Sequence, residues 1–327
     1  MKTFKDKNIL VAGGTGVIGS QIVNQLVKYS KKIFVVANDN KTKIKKRLPS
    51  SIRYTQLDLR NYKHCEVATN KMDIVINAVG IKGSTGIGET KVFDFYNDML
   101  EFQQNLFKAS LNNKVKKYAF ISSICGYPFS NEKKKENFFW QGLPKQNDKI
   151  PGLVKRIGEI QVEAALKQKN WKGGYIFRPS NVFGPYDNFN PLTAQVIPSL
   201  INKFIFASKK NNKRVKIWGN GENLRDFIYS EDVAALILNV LNKKSLSNQP
   251  LNIGSGKGYS IKYLAKTLRN IIDKNIRIEW QKNKPTGDKI RVLNTKLVNS
   301  KIKNFKYHSL KSALIKTINW YKKNNEI

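Results

Sequence analysis

Glycines 13, 16 and 19 stand three residues apart in Gly13-Gly14-Thr15-Gly16-Val17-Ile18-Gly19, between the apolar run Asn8 to Ala12 and an amphipathic segment reaching Tyr29. Strand, tight turn and helix in that order make a phosphate cradle. Glycine lets the backbone turn sharply and approach a pyrophosphate, and the helix N-terminus offers free N–H groups and partial positive charge. The spacing is Gly-x-x-Gly-x-x-Gly, a variant of the commoner Gly-x-Gly-x-x-Gly. A second set of reactive side chains follows the apolar run Val115 to Ser122: Ser122, Ser123, Cys125 and Tyr127, with Lys155 near the start of a helix expected from about Pro151. Hydroxyl, thiol and ammonium groups can exchange protons with a ligand. The same residues have plainer uses, since serines end strands by bonding local backbone and an unpaired cysteine packs as a small hydrophobe.

Apolar runs at Lys32–Ala37, Tyr54–Leu59, Asp73–Gly80 and Val115–Ser122 read as strands, separated by helix-like segments such as Glu89–Asn113. Alternation of this kind predicts an α/β protein, a Rossmann-type doubly wound parallel sheet with right-handed crossovers. In such a sheet the ligand lies beyond the carboxyl ends of the strands. Asn38, Asp58, Leu59, Ala78 and Gly80 therefore join Gly13, Gly16, Val17, Ile18 and Gly19 as candidate cofactor residues, with Asp58 placed to meet an adenine amino group. The end of the second strand separates the two nicotinamide dinucleotides: an acid bonds a ribose 2′-OH, and basic groups accept a 2′-phosphate. Ala37 and Asn38 occupy it, Asp39 comes slightly late, and Lys41, Lys43, Lys45, Lys46 and Arg47 follow. This favours NADP over NAD. An exposed basic loop without bearing on the cofactor is the open alternative.

A chain of 327 residues can bury a large core, and a formal charge of +36 raises the question of nucleic acid. The lysines are scattered through every segment, amid many asparagines and isoleucines, so the expectation is solvated helix faces and no nucleic-acid partner. No apolar run approaches the roughly 18 residues of a membrane span, and the charged N-terminus leads straight into the first strand, which predicts a cytoplasmic protein without a membrane partner. Cys65 and Cys125 are the only cysteines. Two are too few for a disulfide framework or a zinc site, and no metal is expected.

Several motifs specify more. Besides the glycine loop they are Ser122-Ser-x-Cys-x-Tyr-Pro128, Arg178-Pro-Ser-Asn181-Val-Phe-Gly184-Pro-Tyr-Asp187, Val196-Ile-Pro-Ser-Leu200, Trp218-Gly-Asn-Gly ahead of Arg225-Asp-Phe-Ile-Tyr-Ser-Glu-Asp232, and Lys284-Pro-Thr-Gly-Asp288. Through them nearly the whole chain resembles the extended short-chain dehydrogenase/reductases, the NAD-dependent nucleotide-sugar epimerase/dehydratase family, and within it the GDP-L-fucose synthases. The resemblance implies an NAD(P)-dependent epimerase/reductase that acts on a sugar carbonyl or hydroxyl in surface-polysaccharide synthesis, with a nucleotide-diphosphate sugar as partner and a homodimer as assembly. It implies catalytic roles for Ser123, Cys125 and Lys155, the lysine also holding the nicotinamide ribose. It places Asn181, Gln195, Lys203, Trp218, Arg225 and Asp288 around the nucleotide sugar.

Two departures stand out. The Tyr-x-x-x-Lys pair of the family has Pro151 in place of its tyrosine, and the fucose synthase histidine that partners the cysteine is Gln195. Neither replacement can exchange a proton near neutral pH. Either Ser123, Cys125, Tyr127 or a water held by Lys155 takes over proton transfer, or the chain binds its ligands without turnover. The cofactor domain is expected at 1–178 and 214–254, and the substrate lobe at 179–213 and 255–327. The segment Phe129–Lys149 is expected to lie over the site, with Trp140 beneath it or in the sugar pocket. His64 and His308 are expected at the surface.

Overall fold

The computed structural model describes residues 1–80, 92–168, 171–211, 213–243, 246–284 and 287–325. Its first half alternates as expected: β1 (Ile9–Ala12), α1 (Gly19–Leu26), β2 (Ile33–Ala37), α2 (Lys41–Arg47), β3 (Arg53–Gln56), α3 (Tyr62–Thr69), β4 (Ile74–Asn77), α4 (Val92–Asn112), β5 (Lys117–Ile121), α5 (Lys149–Gln168) and β6 (Gly174–Pro179). Then come β7 (Asn181–Phe183), α6 (Val196–Ser208), β8 (Arg214–Trp218), β9 (Leu224–Arg225), β10 (Phe227–Tyr229), α7 (Ser230–Leu241), β11 (Leu251–Ile253), β12 (Tyr259–Ser260), α8 (Ile261–Ile272), β13 (Arg277–Gln281), β14 (Ile290–Arg291), α9 (Lys296–Lys301) and α10 (Leu310–Asn324).

Seven strands form one parallel sheet in the order β11-β6-β5-β4-β1-β2-β3. The order reverses between β1 and β4, which opens a crevice at their carboxyl ends. Strands of such a sheet are buried on both faces, and the period of two divides their side chains between two layers. Ile9, Val11, Val35, Ile74 and Ile76 face α1 and α7, packing with Ile22, Leu26, Ile237 and Leu241. Leu10, Ala12, Val36, Val75 and Phe120 face the opposite way, onto Phe102 and Leu106 of α4 and Val154 of α5. A separate apolar cluster joins Ile201 and Phe204 of α6, Val215 and Ile217 of β8, Phe227 and Tyr229 of β10, Leu264 and Leu268 of α8, and Leu314 of α10.

Some local expectations are revised. The lysine run after β2 is helical, capped by Asn40, whose side chain accepts from the Lys43 amide. The helix at Ser230 begins with that serine inside it and Tyr229 at the cap, and among the described residues the buried Ser230 hydroxyl has no hydrogen-bond partner. Glu89 lies outside the described residues, and α4 is described from Val92. Among the described residues no helix is long and apolar enough to cross a membrane.

Candidate active site

The glycine loop closes at the switch point of the sheet. Gly13 has φ +72°, and a Cβ there would lie 2.8 Å from the Ala78 carbonyl oxygen, so only glycine lets β1 turn this close to β4. A Cβ on Gly19 would strike the Gly13 carbonyl, and its absence seats α1 against the loop. Gly16, by contrast, meets only the Gly13 carbonyl oxygen at 3.4 Å, and Gly80 meets nothing within 4 Å. Both leave room on the crevice side. Val17 and Ile18 are half-buried ahead of the first turn of α1, as the cradle requires. Tight glycines behind and open glycines in front fit a dinucleotide pyrophosphate.

At the carboxyl end of β2, Thr15 donates to Asp39 at 2.6 Å, Lys43 also bonds Asp39, and Arg47 donates 2.8 Å to the Thr15 carbonyl oxygen. Burial acts to raise the Asp39 pKa, but the hydrogen bonds from Lys43 and Thr15 outweigh it and hold the carboxyl below its usual range. Asn38 is exposed at the strand end. Asp58 follows β3 by two residues and is held by Arg60, which also reaches Asp98 at 2.9 Å. Leu59 turns its side chain into the core, and its carbonyl accepts from the Cys65 thiol at 3.1 Å. A ligand would meet its backbone only.

The reactive cluster lies where β5 ends against the start of α5. Ser123 caps a short 3-10 turn, its hydroxyl accepting from the Cys125 amide at 3.1 Å. Cys125 packs its carbonyl on Gly152, where an added Cβ would overlap it, so the cysteine sits beside the first turn of α5 that also contains Pro151. Proline is at home there, because first-turn N–H groups have no helical partner. One turn on, Lys155 is buried, donates to the Ile121 carbonyl at 2.9 Å and lies 5.2 Å from the centre of the Phe120 ring. Burial holds its ammonium pKa down to about 8, against smaller upward pulls from Cys125 and Glu159. Arg291 donates to the Cys125 sulfur at 3.1 Å and to Asp148 at 2.7 Å. Burial and Asp148 raise the thiol pKa, while Arg291 and Ser123 draw it back.

Neighbouring candidates turn away. Tyr127 is buried and donates to Asn252 at 2.7 Å, burial pushing its phenol up to about 12, so it does not serve as the missing tyrosine. Glu159 stands one helical turn after Lys155. It is fully buried and bound by Arg178 and Ser122. His308 is half-buried, bonded to Asp232 at 2.7 Å, and His64 meets the Asp58 carbonyl at 3.0 Å. Neither reaches the cluster through any of these bonds.

Parallel pairing of β9 with β14 sets Arg225 directly opposite Arg291. Arg225 donates to the carbonyls of Leu224 and Asp288, and among the described residues no carboxylate pairs with it. Burial, then repulsion from Arg291, lowers its pKa to about 10. Asp288 is buried, paired with Lys145 at 2.8 Å. Asn181 donates 2.8 Å to the Asp226 carbonyl, and Gln195 is half-buried at the N-cap of α6. Lys203 and Trp218 line one cavity of about 280 Å³ with Phe206, Lys210, Arg214 and Lys216. The 129–149 segment is tied down: Lys134 pairs by backbone with Val292 and Asn294, Lys145 with Asp288, and Asp148 with Arg291. Trp140 packs edge-on against Phe139, under the Arg156 guanidinium, and stays half-exposed.

Arg291 and Asp148 were not singled out by sequence. The arginine stands three residues after the Lys284–Asp288 motif, and only the β9–β14 pairing brings it to Cys125.

Residues 9–254 match the NAD dependent epimerase/dehydratase family. The chain is 28% identical over 327 residues to the probable GDP-L-fucose synthase 1 of Oryza sativa, covering 98% of this chain and 93% of that protein. It is 26% identical to the GDP-L-colitose synthase of Yersinia pseudotuberculosis, covering 97% and 99%. In three dimensions it resembles a GDP-L-fucose synthetase from Naegleria fowleri bound to NADP, with TM-score 0.79, 23% identity and coverage of 98% and 94%. It also resembles the UDP-glucose 4-epimerase of Thermotoga maritima with UDP-glucose, with TM-score 0.81, 22% identity and coverage of 97% and 99%.

Proposed function

The chain belongs to the NAD dependent epimerase/dehydratase family, and from that premise we propose that it is an NAD(P)-dependent epimerase/reductase of a GDP-linked keto sugar. The observation that carries the reading is the pairing of Arg225 with Arg291, which sets a guanidinium without a carboxylate partner among the described residues one strand away from the Cys125–Lys155 cluster. A diphosphate supplies the missing counter-charge, and a planar guanidinium binds two of its oxygens. The 179–213 and 255–327 regions act as the substrate lobe: Lys203 and Trp218 receive the nucleotide end, and Asn181, Gln195 and Asp288 border the sugar. A homodimer is part of the same proposal.

Gly13, Gly16 and Gly19 would hold the cofactor pyrophosphate, with Asp58 toward the adenine and Lys155 toward the nicotinamide ribose. The bound nicotinamide supplies or accepts hydride. NADP is the proposed form, because the Asp39 carboxylate is already bonded by Thr15 and paired with Lys43 while Arg47 lies on the glycine loop. With no tyrosine at 151, Cys125 is the titratable proton carrier beside Ser123. It gives or takes the proton at the sugar, and the Ser123 hydroxyl bonds the sugar oxygen.

The test is an assay with NADP(H) or NAD(H) and a panel of GDP-, UDP- and dTDP-linked sugars with their 4-keto derivatives, read by nicotinamide absorbance and product mass. A new product with cofactor oxidation supports reduction, and isomerisation without net cofactor change supports epimerisation. Pro151 and Gln195 favour a second reading, a ligand-binding relative without turnover. Binding of both ligands with no product in any pairing would establish that one.

A further inference from the structure

The contact between Arg291 and Cys125 joins residues 166 positions apart in the sequence, and both partners are constrained. Arg291 is held by strand pairing on one side, where its carbonyl accepts from the Asp226 amide at 3.0 Å, and by Asp148 at its guanidinium. Asp148 belongs to the turn that leads into α5, so it aims the arginine from directly ahead of the helix that carries Pro151 and Lys155. The guanidinium thus presents one nitrogen to a carboxylate at 2.7 Å and another to the thiol sulfur at 3.1 Å. A group in that position stabilises thiolate over thiol.

We infer that Arg291, aimed by Asp148, is the positioning residue that governs protonation of Cys125, in a site that lacks both the tyrosine and the histidine of its relatives. What the thiol does for a sugar rests on the proposed function, but how it is held does not. The charged groups around it are Asp148 from the turn before α5, Arg291 from β14 and Lys155 from α5, with the Ser123 hydroxyl from the end of β5. Burial and Asp148 oppose ionisation, and Arg291 and Ser123 favour it. Removing Arg291 leaves the opposing influences dominant. Neutralising Asp148 removes one of them.

Cys65 provides an internal control, since it is fully buried with its thiol pushed up to about 12. Alkylation of the whole folded chain by iodoacetamide, followed by peptide mass spectrometry across pH 6 to 10, therefore reads Cys125. We expect Arg291→Gln to slow Cys125 alkylation about tenfold on the rising limb of the profile, the effect of roughly one unit in thiol pKa. Arg291→Lys should restore part of the rate, and Asp148→Asn should raise it above wild type. Opposite movements of the Gln and Asn variants exclude simple loosening of the fold, which would speed both.

Superimposable profiles for wild type and a folded Arg291→Gln would overturn the inference. If that variant does not fold, Arg291→Lys decides: alkylation slower than wild type supports it and an unchanged profile overturns it. Neither cofactor nor sugar enters the experiment. Failure of the sugar assay with a shifted profile would therefore strike only the proposed function, and turnover with an unshifted profile would strike only this inference.

Discussion

Two arginine–carboxylate pairs lie close together in this molecule and have been put to different ends. Arg178 and Glu159 are 1% and 0% exposed, and their valences are filled: the arginine bonds both Glu159 oxygens, the Glu136 carbonyl and the Tyr127 hydroxyl, and lies 3.6 Å from the centre of the Phe139 ring. Arg291 and Asp148 are 18% and 20% exposed, and the guanidinium spends its second nitrogen on a thiol. The first pair is a closed network that anchors β6 to α5 beneath the site. The second is an open one at the mouth of the site. The same two residue types become keystone or reagent according to burial and to how many hydrogen-bond positions remain.

The largest test of this contrast is to break each pair. Arg178→Leu leaves Glu159 as an unpaired buried charge, and a loss of about 3–5 kcal/mol is expected in urea unfolding. Arg291→Gln should cost about 1 kcal/mol or less, because water reaches its partner. Equal losses would erase the distinction.

A smaller effect, on chemistry alone, is expected from Cys125→Ser. Its thermal melt should stay near wild type, while, on the role proposed above for Cys125, turnover of the keto sugar falls about 100-fold. Full activity in this variant would move the acid–base role elsewhere.

Lys155 sharpens the comparison further, as a buried cation without a carboxylate pairing of its own in the described cluster. Its pKa is lowered from 10.5 to about 8 by burial, so between these values the unfolded chain holds more protons than the folded one. Stability of the wild type relative to Lys155→Met should therefore rise from pH 8 to pH 10.5, by about 3 kcal/mol in urea titrations, and level off outside that window. A flat difference would mean that the ammonium is solvated.

The smallest structural effect is expected from Pro151→Tyr. Tyrosine fits a first helical turn, so stability should change by less than about 1 kcal/mol. The hydroxyl returns to a position one turn from Lys155. An active parent should change rate by no more than about tenfold, whereas turnover appearing only in the variant would establish the binder reading.

Much of this architecture was legible. The strands Ile9–Ala12, Ile33–Ala37, Ile74–Asn77 and Lys117–Ile121 fall within runs visible as uninterrupted β-formers, and the glycine loop predicted the turn that Gly13 makes against Ala78. The caps of the helices opened by Ser260 and Ser309 are local bonds of the kind a sequence carries, to the amides of Tyr263 and Ser312. Illegible were the short strands β9 and β14, whose pairing depends on residues more than sixty positions apart, and the seat of Arg291 against Cys125, which spans 166 positions.

The sequence by itself determined the sheet, the cradle and the set of groups available for chemistry, since these follow from periodicity and from a few residues in succession. Tertiary structure decided which of them are free to act. Tyr127 and Glu159 carry the right atoms yet are buried with Asn252, Ser122 and Arg178, and Cys125 is left facing Arg291. Availability for proton transfer depends on desolvation and on the charge opposite, and both are supplied by segments that meet only when the chain is folded.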